Sequence, residues 1–213
     1  MHFLARLYHY PRGCSSVTQI ALEVAEIPYE LVLVDLSVGA HRKEPYLTLN
    51  PRAKVPALFL DGRTLTESAA ILFELNTRSD DRLLGSPKRE VREQFLSDLV
   101  WCAATLHPIV RQIRAPFRFT DGDPEAVRAH GIKQFASAAV MLEARLRGSW
   151  WYGQNWSIVD TYLRWIVGVA ETGFDFDQFP AIRAHCTMMD GRPESERAAV
   201  REAKAIAESH WLK

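Results

Sequence analysis

Cys14 has the clearest capacity for chemistry in this chain. It follows an alternating apolar stretch, Phe3 to His9, and a loop with two breakers, Tyr10-Pro11-Arg12-Gly13. It opens a run with apolar residues at Val17, Ile20, Ala21, Val24 and Ala25. That period predicts a helix beginning at the cysteine. The positive end of a helix favours a thiolate over a thiol. A free thiol, with a pKa of about 8.5, is only a few per cent ionised at pH 7, so such a placement suits a nucleophile or a partner in a mixed disulfide. Tyr8, Ser15 and Ser16 supply hydroxyls close by in sequence.

The stretch Asn50 to Ile71, NPRAKVPALFLDGRTLTESAAI, carries a second pattern. Ala57-Leu58-Phe59-Leu60 reads as a short strand, Asp61-Gly62 as a hairpin turn and Arg63-Thr64-Leu65 as the returning strand. Glu67-Ser68 then stands at the start of an apolar-periodic run, where a helix leaves backbone N–H groups without partners and can receive a carboxylate. Pro56 lacks an N–H and permits a cis bond after Val55. A cis step turns the Val55 N–H and C=O outward, where they can pair with a peptide as one more strand would. Lys54 is a cation next to that edge. The pattern fits a small peptide bearing a carboxylate.

Composition narrows the classes. Lys+Arg and Asp+Glu number 26 each, and this zero formal charge speaks against a nucleic-acid-binding surface. The 47% hydrophobic content suits an ordinary core. Cys14, Cys102 and Cys186 are an odd number without CxxC spacing, so neither a disulfide framework nor a metal site is expected. No apolar run reaches the roughly 20 residues of a membrane span. The N-terminal stretch lacks the charged region and long apolar core of a signal peptide. A cytoplasmic protein is expected.

The elements that must position these residues follow. Tyr29 to Val34 is a second strand with enough apolar content for burial on both faces. Strand, helix and strand within about 35 residues make a βαβ unit with a parallel pair. A short irregular helix over His41 to Leu49, the hairpin and a helix from Glu67 to Thr77 complete a thioredoxin-like order. The expected domains are 1–78, thioredoxin-like; 79–87, a polar linker; and 88–213, all-helical. Helices are expected over Lys88 to Ile113, kinked at Pro108, over Pro124 to Leu146, and from Phe179-Pro180 and Pro193 onward. Ser157 with Asp160 has the form of a capping box before the run Tyr162 to Val169.

An α/β thioredoxin-like domain followed by an all-helical domain resembles the glutathione transferases over essentially the whole chain. In that family the residue before a cis-proline holds the cysteinyl part of glutathione and a Glu/Gln-Ser pair holds its γ-glutamyl end. Val55-Pro56, Glu67 and Ser68 match. Tyr8-His9-Tyr10-Pro11-Arg12-Gly13-Cys14-Ser15 resembles the opening of the bacterial beta class, where the Cys lies at the sulfur of glutathione. Leu106-His107 is similar to that class's Leu-His-Lys, with Pro108 in place of Lys. The zeta class is also similar around Cys14, but Gly13 stands where its catalytic hydroxyl would precede the Cys.

The resemblance implies a glutathione transferase acting on a small hydrophobic electrophile. It implies Cys14, His107, Tyr8 and Ser15 at the sulfur, and Lys54, Val55, Pro56, Glu67 and Ser68 on the tripeptide. It also implies a homodimer and a detoxifying role, with no metal, nucleic acid or membrane. Arg12, His41 and Lys43 are further cations for the glycine carboxylate, and Trp101 and Phe117 are candidates to line the acceptor pocket. Three other readings stay open: a thiol-disulfide or peroxide reductase using Cys14, a zeta-like isomerase, and a non-catalytic glutathione- or ligand-binding protein.

Overall fold

The computed structural model describes residues 5–209. Phe3 and Leu4 of the expected first strand lie outside them. The chain divides into two compact units: the first runs to Leu83 and resumes at Arg192, and the second is Leu84–Gly191.

The first unit is built on a four-stranded mixed sheet in the order β2-β1-β3-β4, with β1 Ala5–His9, β2 Tyr29–Leu33, β3 Ala57–Leu60 and β4 Arg63–Thr66. β1 runs parallel to β2 and antiparallel to β3, and β3 and β4 form the hairpin. Asp61 and Gly62, both at positive φ, turn that hairpin as their residue types predict. Helix α1, Ser15–Val24, buries Val17, Ala21 and Leu22. Helix α2, Tyr46–Leu49, is one short turn, and α3, Ser68–Arg78, buries Ile71, Leu72 and Leu75. Strand β2 departs from expectation. It lies at the sheet edge and only Tyr29 of it is buried, so the apolar run of Leu31 to Leu33 is half covered. An edge strand is bonded on one side only, and periodicity does not distinguish it from a central one.

The second unit is helical: α4 Arg89–Trp101, α5 His107–Arg114, α6 Pro124–Leu146, α7 Ile158–Ala170 and α8 Pro180–Asp190. Its core includes Phe95, Leu99, Phe135, Leu142, Tyr162 and Ile166, each fully or almost fully buried. The expected long helix of 88–113, kinked at Pro108, is divided just before that proline. Residues Cys102–Leu106 form a π-helical turn between α4 and α5. Pro108 lacks an N–H and its ring crowds the preceding turn, and the wider turn accommodates both. The capping box of Ser157 with Asp160 is present at the start of α7, and Asp123 caps α6 through the Glu125 N–H at 2.9 Å.

Helix α9, Pro193–Glu208, departs from the expected boundaries. It belongs to the first unit, because Gln19 donates to the Ala198 carbonyl at 2.9 Å and Arg197 and Arg201 reach the buried Glu23 at 3.3 and 3.0 Å. Residues 79–87 are also no free linker. Leu83 and Leu84 are fully buried, and the Leu83 N–H donates to the Asn76 side chain at 3.1 Å. Gly85, at φ +73, passes so close to Trp156 that a Cβ would stand 1.9 Å from its carbonyl oxygen, so only glycine fits there.

Candidate functional site

Sheet register gathers the site in the first unit. Tyr8 pairs with Ala57 and Ala57 with Thr66. The end of β1, the start of β3 and the end of β4 therefore share one edge. The loop to Cys14, the Val55-Pro56 step and Glu67-Ser68 all leave from that edge.

Cys14 is half-buried and is the N-cap of α1. Its thiol donates to the Val55 carbonyl at 3.3 Å. A carbonyl only accepts, so this is a contact of the protonated thiol. The Val55-Pro56 bond is cis, as expected. The segment before it is held by a carbonyl that sequence reasoning overlooked: that of Lys54 accepts from the Tyr46 hydroxyl at 2.6 Å and the Asn50 amide at 2.8 Å. The Lys54 side chain itself is exposed.

Tyr8 packs rather than presenting a free ring. It stands edge-on to Tyr46 at 5.7 Å, against a cluster of Val34, Tyr46 and Ala57 that also includes Val55. Burial pushes the Tyr46 hydroxyl up, and a hydrogen bond from Asn50 opposes it. Ser15 is fully buried, and its hydroxyl accepts from the Tyr10 N–H at 3.1 Å and donates to the Tyr10 carbonyl at 3.4 Å. It closes the loop that presents Cys14. Gly13 completes the closure, its N–H donating to the Tyr10 carbonyl at 2.8 Å, where a Cβ would meet the same oxygen at 2.8 Å.

Glu67 is the N-cap of α3 and sits at φ 68, a left-handed conformation that a residue with a Cβ adopts at a cost. No side chain caps this helix end. Ser68 is buried. Arg52, also overlooked in the sequence, donates to Glu67 at 3.2 Å and to Thr66 at 3.1 Å. An exposed arginine two residues after a conspicuous asparagine carries no distinguishing signal. Arg12 and Lys43 are exposed and His41 is half-buried.

His107 belongs to the second unit. The π turn delivers it to Tyr162, whose hydroxyl lies 3.2 Å from Nδ1, and to Trp165, whose ring stands edge-on at 4.5 Å. Trp101 stacks on Trp151 at 5.7 Å, and Phe117 is 65% exposed. Cys102 and Cys186 are buried thiols. Burial holds Cys102 well above the usual thiol range and pushes Cys186 up to about 11. No group of His, Cys, Asp and Glu among the described residues is arranged to hold a metal ion, and no helix among them is long and apolar enough to cross a membrane.

A cis-proline step, a cysteine hydrogen-bonded to the carbonyl before it and a helix start beside a carboxylate thus lie together on one thioredoxin-like unit. Residues 13–78 match the family model of the glutathione S-transferase N-terminal domain. The chain is 33% identical over 204 residues to maleylacetoacetate isomerase of Pseudomonas aeruginosa, covering 91% of this chain and 94% of that protein. A sphingomonad glutathione S-transferase, solved in complex with glutathione, is 30% identical with a TM-score of 0.80 over 93% of this chain and 98% of its own. A bacterial beta class enzyme of Sphingomonas chungbukensis is 29% identical with a TM-score of 0.79 over 92% and 98%. The chain belongs to the glutathione S-transferase family, with the bacterial beta class among its structural neighbours.

Proposed function

We propose that this protein is a beta-like glutathione transferase that presents a glutathione thiolate to a small hydrophobic electrophile. One observation carries the reading: Cys14, the Val55 carbonyl and the Glu67-Ser68 helix end leave from a single edge of the sheet. The residues fit the tripeptide part by part. The Val55 backbone takes the cysteinyl amide as a strand edge would. The Ser68 end of α3 takes the γ-glutamyl carboxylate, and Glu67 takes its ammonium. Pro56 sets the angle of the Val55 edge, and Lys54 is the cation nearest the glycine end. In this reading Tyr8 shapes the floor of the site, and Ser15 serves by holding the Cys14 loop. The protein acts as a cytoplasmic homodimer in detoxification, and exposed Leu96 and Val100, one turn apart on α4, suit a subunit interface.

The test is calorimetric titration with glutathione followed by turnover on a panel of electrophiles. Micromolar to millimolar binding together with conjugation supports the reading, and no binding refutes it.

A second reading is favoured by the Cys14 contact. The thiol already occupies the Val55 carbonyl, where the cysteinyl part of a bound glutathione would lie. On glutathione disulfide, the Cys14 thiolate attacks one sulfur, the S–S bond breaks and glutathione thiolate leaves. A Cys14→Ser variant that loses disulfide reduction but keeps conjugation separates the two chemistries. Isomerisation of a double bond without consumption of glutathione would instead align the chain with its isomerase relative.

A further inference from the structure

The loop that presents Cys14 is fastened from two sides, and only one is local. The Ser15 hydroxyl and the Gly13 N–H close it onto Tyr10. From the other end of the chain, within the same compact unit, α9 brings Glu202. Its Oε2 accepts from the Arg12 N–H at 3.2 Å and lies 2.6 Å from Nε2 of His9, the last residue of β1. His9 is fully buried and its Nδ1 has no hydrogen-bond partner. An ionised carboxylate only accepts, so Nε2 carries the proton and donates it. Burial works to raise the Glu202 carboxyl, but the hydrogen bond and charge of His9, with the N–H and guanidinium of Arg12, outweigh it and hold the carboxyl below its usual range.

Glu202 is not what seats α9. Gln19 to Ala198, and Glu23 to Arg197 and Arg201, do that from the neighbouring residue and the preceding turn of α9. What Glu202 adds is a grip on the loop. Arg12 stands at φ 58, a left-handed conformation disfavoured for a residue with a Cβ, and such a conformation persists only where contacts enforce it.

We infer that Glu202 is a positioning residue for the Cys14 loop, binding His9 and the Arg12 N–H on one carboxylate and so fixing where the thiol stands. The inference rests on the reading of this loop as part of the glutathione site. Without the carboxylate the Arg12 backbone is released while the sheet and α9 stay in place.

The experiment compares the full chain with Glu202→Ala and Glu202→Gln. It reads amide hydrogen exchange at Arg12, with the Leu7 and Leu58 amides of the sheet as controls, the rate at which iodoacetamide alkylates Cys14, and glutathione affinity by calorimetry. Glu202→Ala is expected to speed Arg12 exchange about tenfold or more, the size of one lost charge-assisted hydrogen bond, with Leu7 and Leu58 unchanged. It is also expected to change the Cys14 alkylation rate and to weaken glutathione binding. Glu202→Gln is expected to restore all three, because its amide oxygen still accepts from both donors. If Glu202→Ala does not fold, Glu202→Asp, which keeps the charge but shortens the reach by one methylene, takes its place with the same expectation. Unchanged Arg12 exchange overturns the inference. So does an equal rise at Leu7 and Leu58, which marks general destabilisation, or a glutamine variant that restores nothing. If the wild-type protein fails to bind glutathione, the proposed function falls, while Arg12 exchange and Cys14 alkylation still decide the role of Glu202.

Discussion

The Cys14 thiol donates to the Val55 carbonyl at 3.3 Å, joining the start of α1 to the residue before the cis-proline across 41 positions of sequence. A ligand that pairs with the Val55 carbonyl meets this thiol at the same oxygen. Binding and cysteine chemistry are thereby coupled at one oxygen.

Cys14 is expected to be the reactive cysteine. It is half-buried, whereas Cys102 and Cys186 are buried and their thiolates are disfavoured by burial. For Cys186, raised from 9.0 to about 11, the thiolate fraction falls about a hundredfold. Alkylation of the native protein followed by peptide mapping should label Cys14 first by a wide margin. Equal labelling of the three cysteines would remove Cys14 from the chemistry.

Under the proposed function, Glu67→Ala and Ser68→Ala are expected to raise KM for glutathione and leave kcat nearly unchanged, since in that reading they grip a part of the substrate remote from the sulfur. Arg52→Ala should act in the same direction but more weakly. Its pairing with Glu67 at 3.2 Å is exposed, and such pairs contribute about 0–1 kcal/mol. A kcat loss at constant KM in the Glu67 and Ser68 variants would contradict the anchoring role.

Asp160→Ala is expected to destabilise the protein by about 3–5 kcal/mol without changing activity per folded molecule. The fully buried carboxylate accepts from the Trp151 N–H at 2.7 Å and from the Ser157 N–H and hydroxyl at 2.9 and 3.0 Å, and lies 3.0 Å from Nε2 of the buried His185. Removing it strands those groups without water. Urea unfolding measures the cost, and a loss below about 1 kcal/mol would show that the network does not hold the unit together.

Stability is expected to fall above pH 9. Burial raises the folded-state Cys186 thiol from 9.0 to about 11, so between those values the unfolded chain has released a proton that the folded chain still holds. Fewer protons on the unfolded state make the slope negative, at most about 1.4 kcal/mol per pH unit. This contribution is complete below pH 9 and is lost as pH rises through 11. Urea midpoints from pH 7 to 10.5 should decline more steeply in the wild type than in Cys186→Ala, and parallel curves would exclude the thiol as the cause.

The proposed homodimer predicts a light-scattering mass twice that of the chain at micromolar concentration. Leu96→Glu with Val100→Glu should shift it toward the monomer. A wild-type monomer under the same conditions rejects the interface.

What the sequence determined by itself was local. The helical stripe after Cys14, the Asp61-Gly62 hairpin, the cis Val55-Pro56 step and the Ser157-Asp160 capping box are set by residues within a few positions of one another. Periodicity, turn chemistry and caps act at that range. What lay beyond reach joins distant positions. The Lys54 carbonyl held by Tyr46 and Asn50 is the nearest case, the edge position of β2 and the membership of α9 in the first unit are others, and the meeting of His9, Arg12 and Glu202 is the furthest. No pattern in the chain marks Glu202 apart from the other glutamates of an amphipathic helix. Only the packing of α9 onto α1 brings one carboxylate to the end of β1, because a side-chain hydrogen bond depends on where two backbones have been carried by the whole fold.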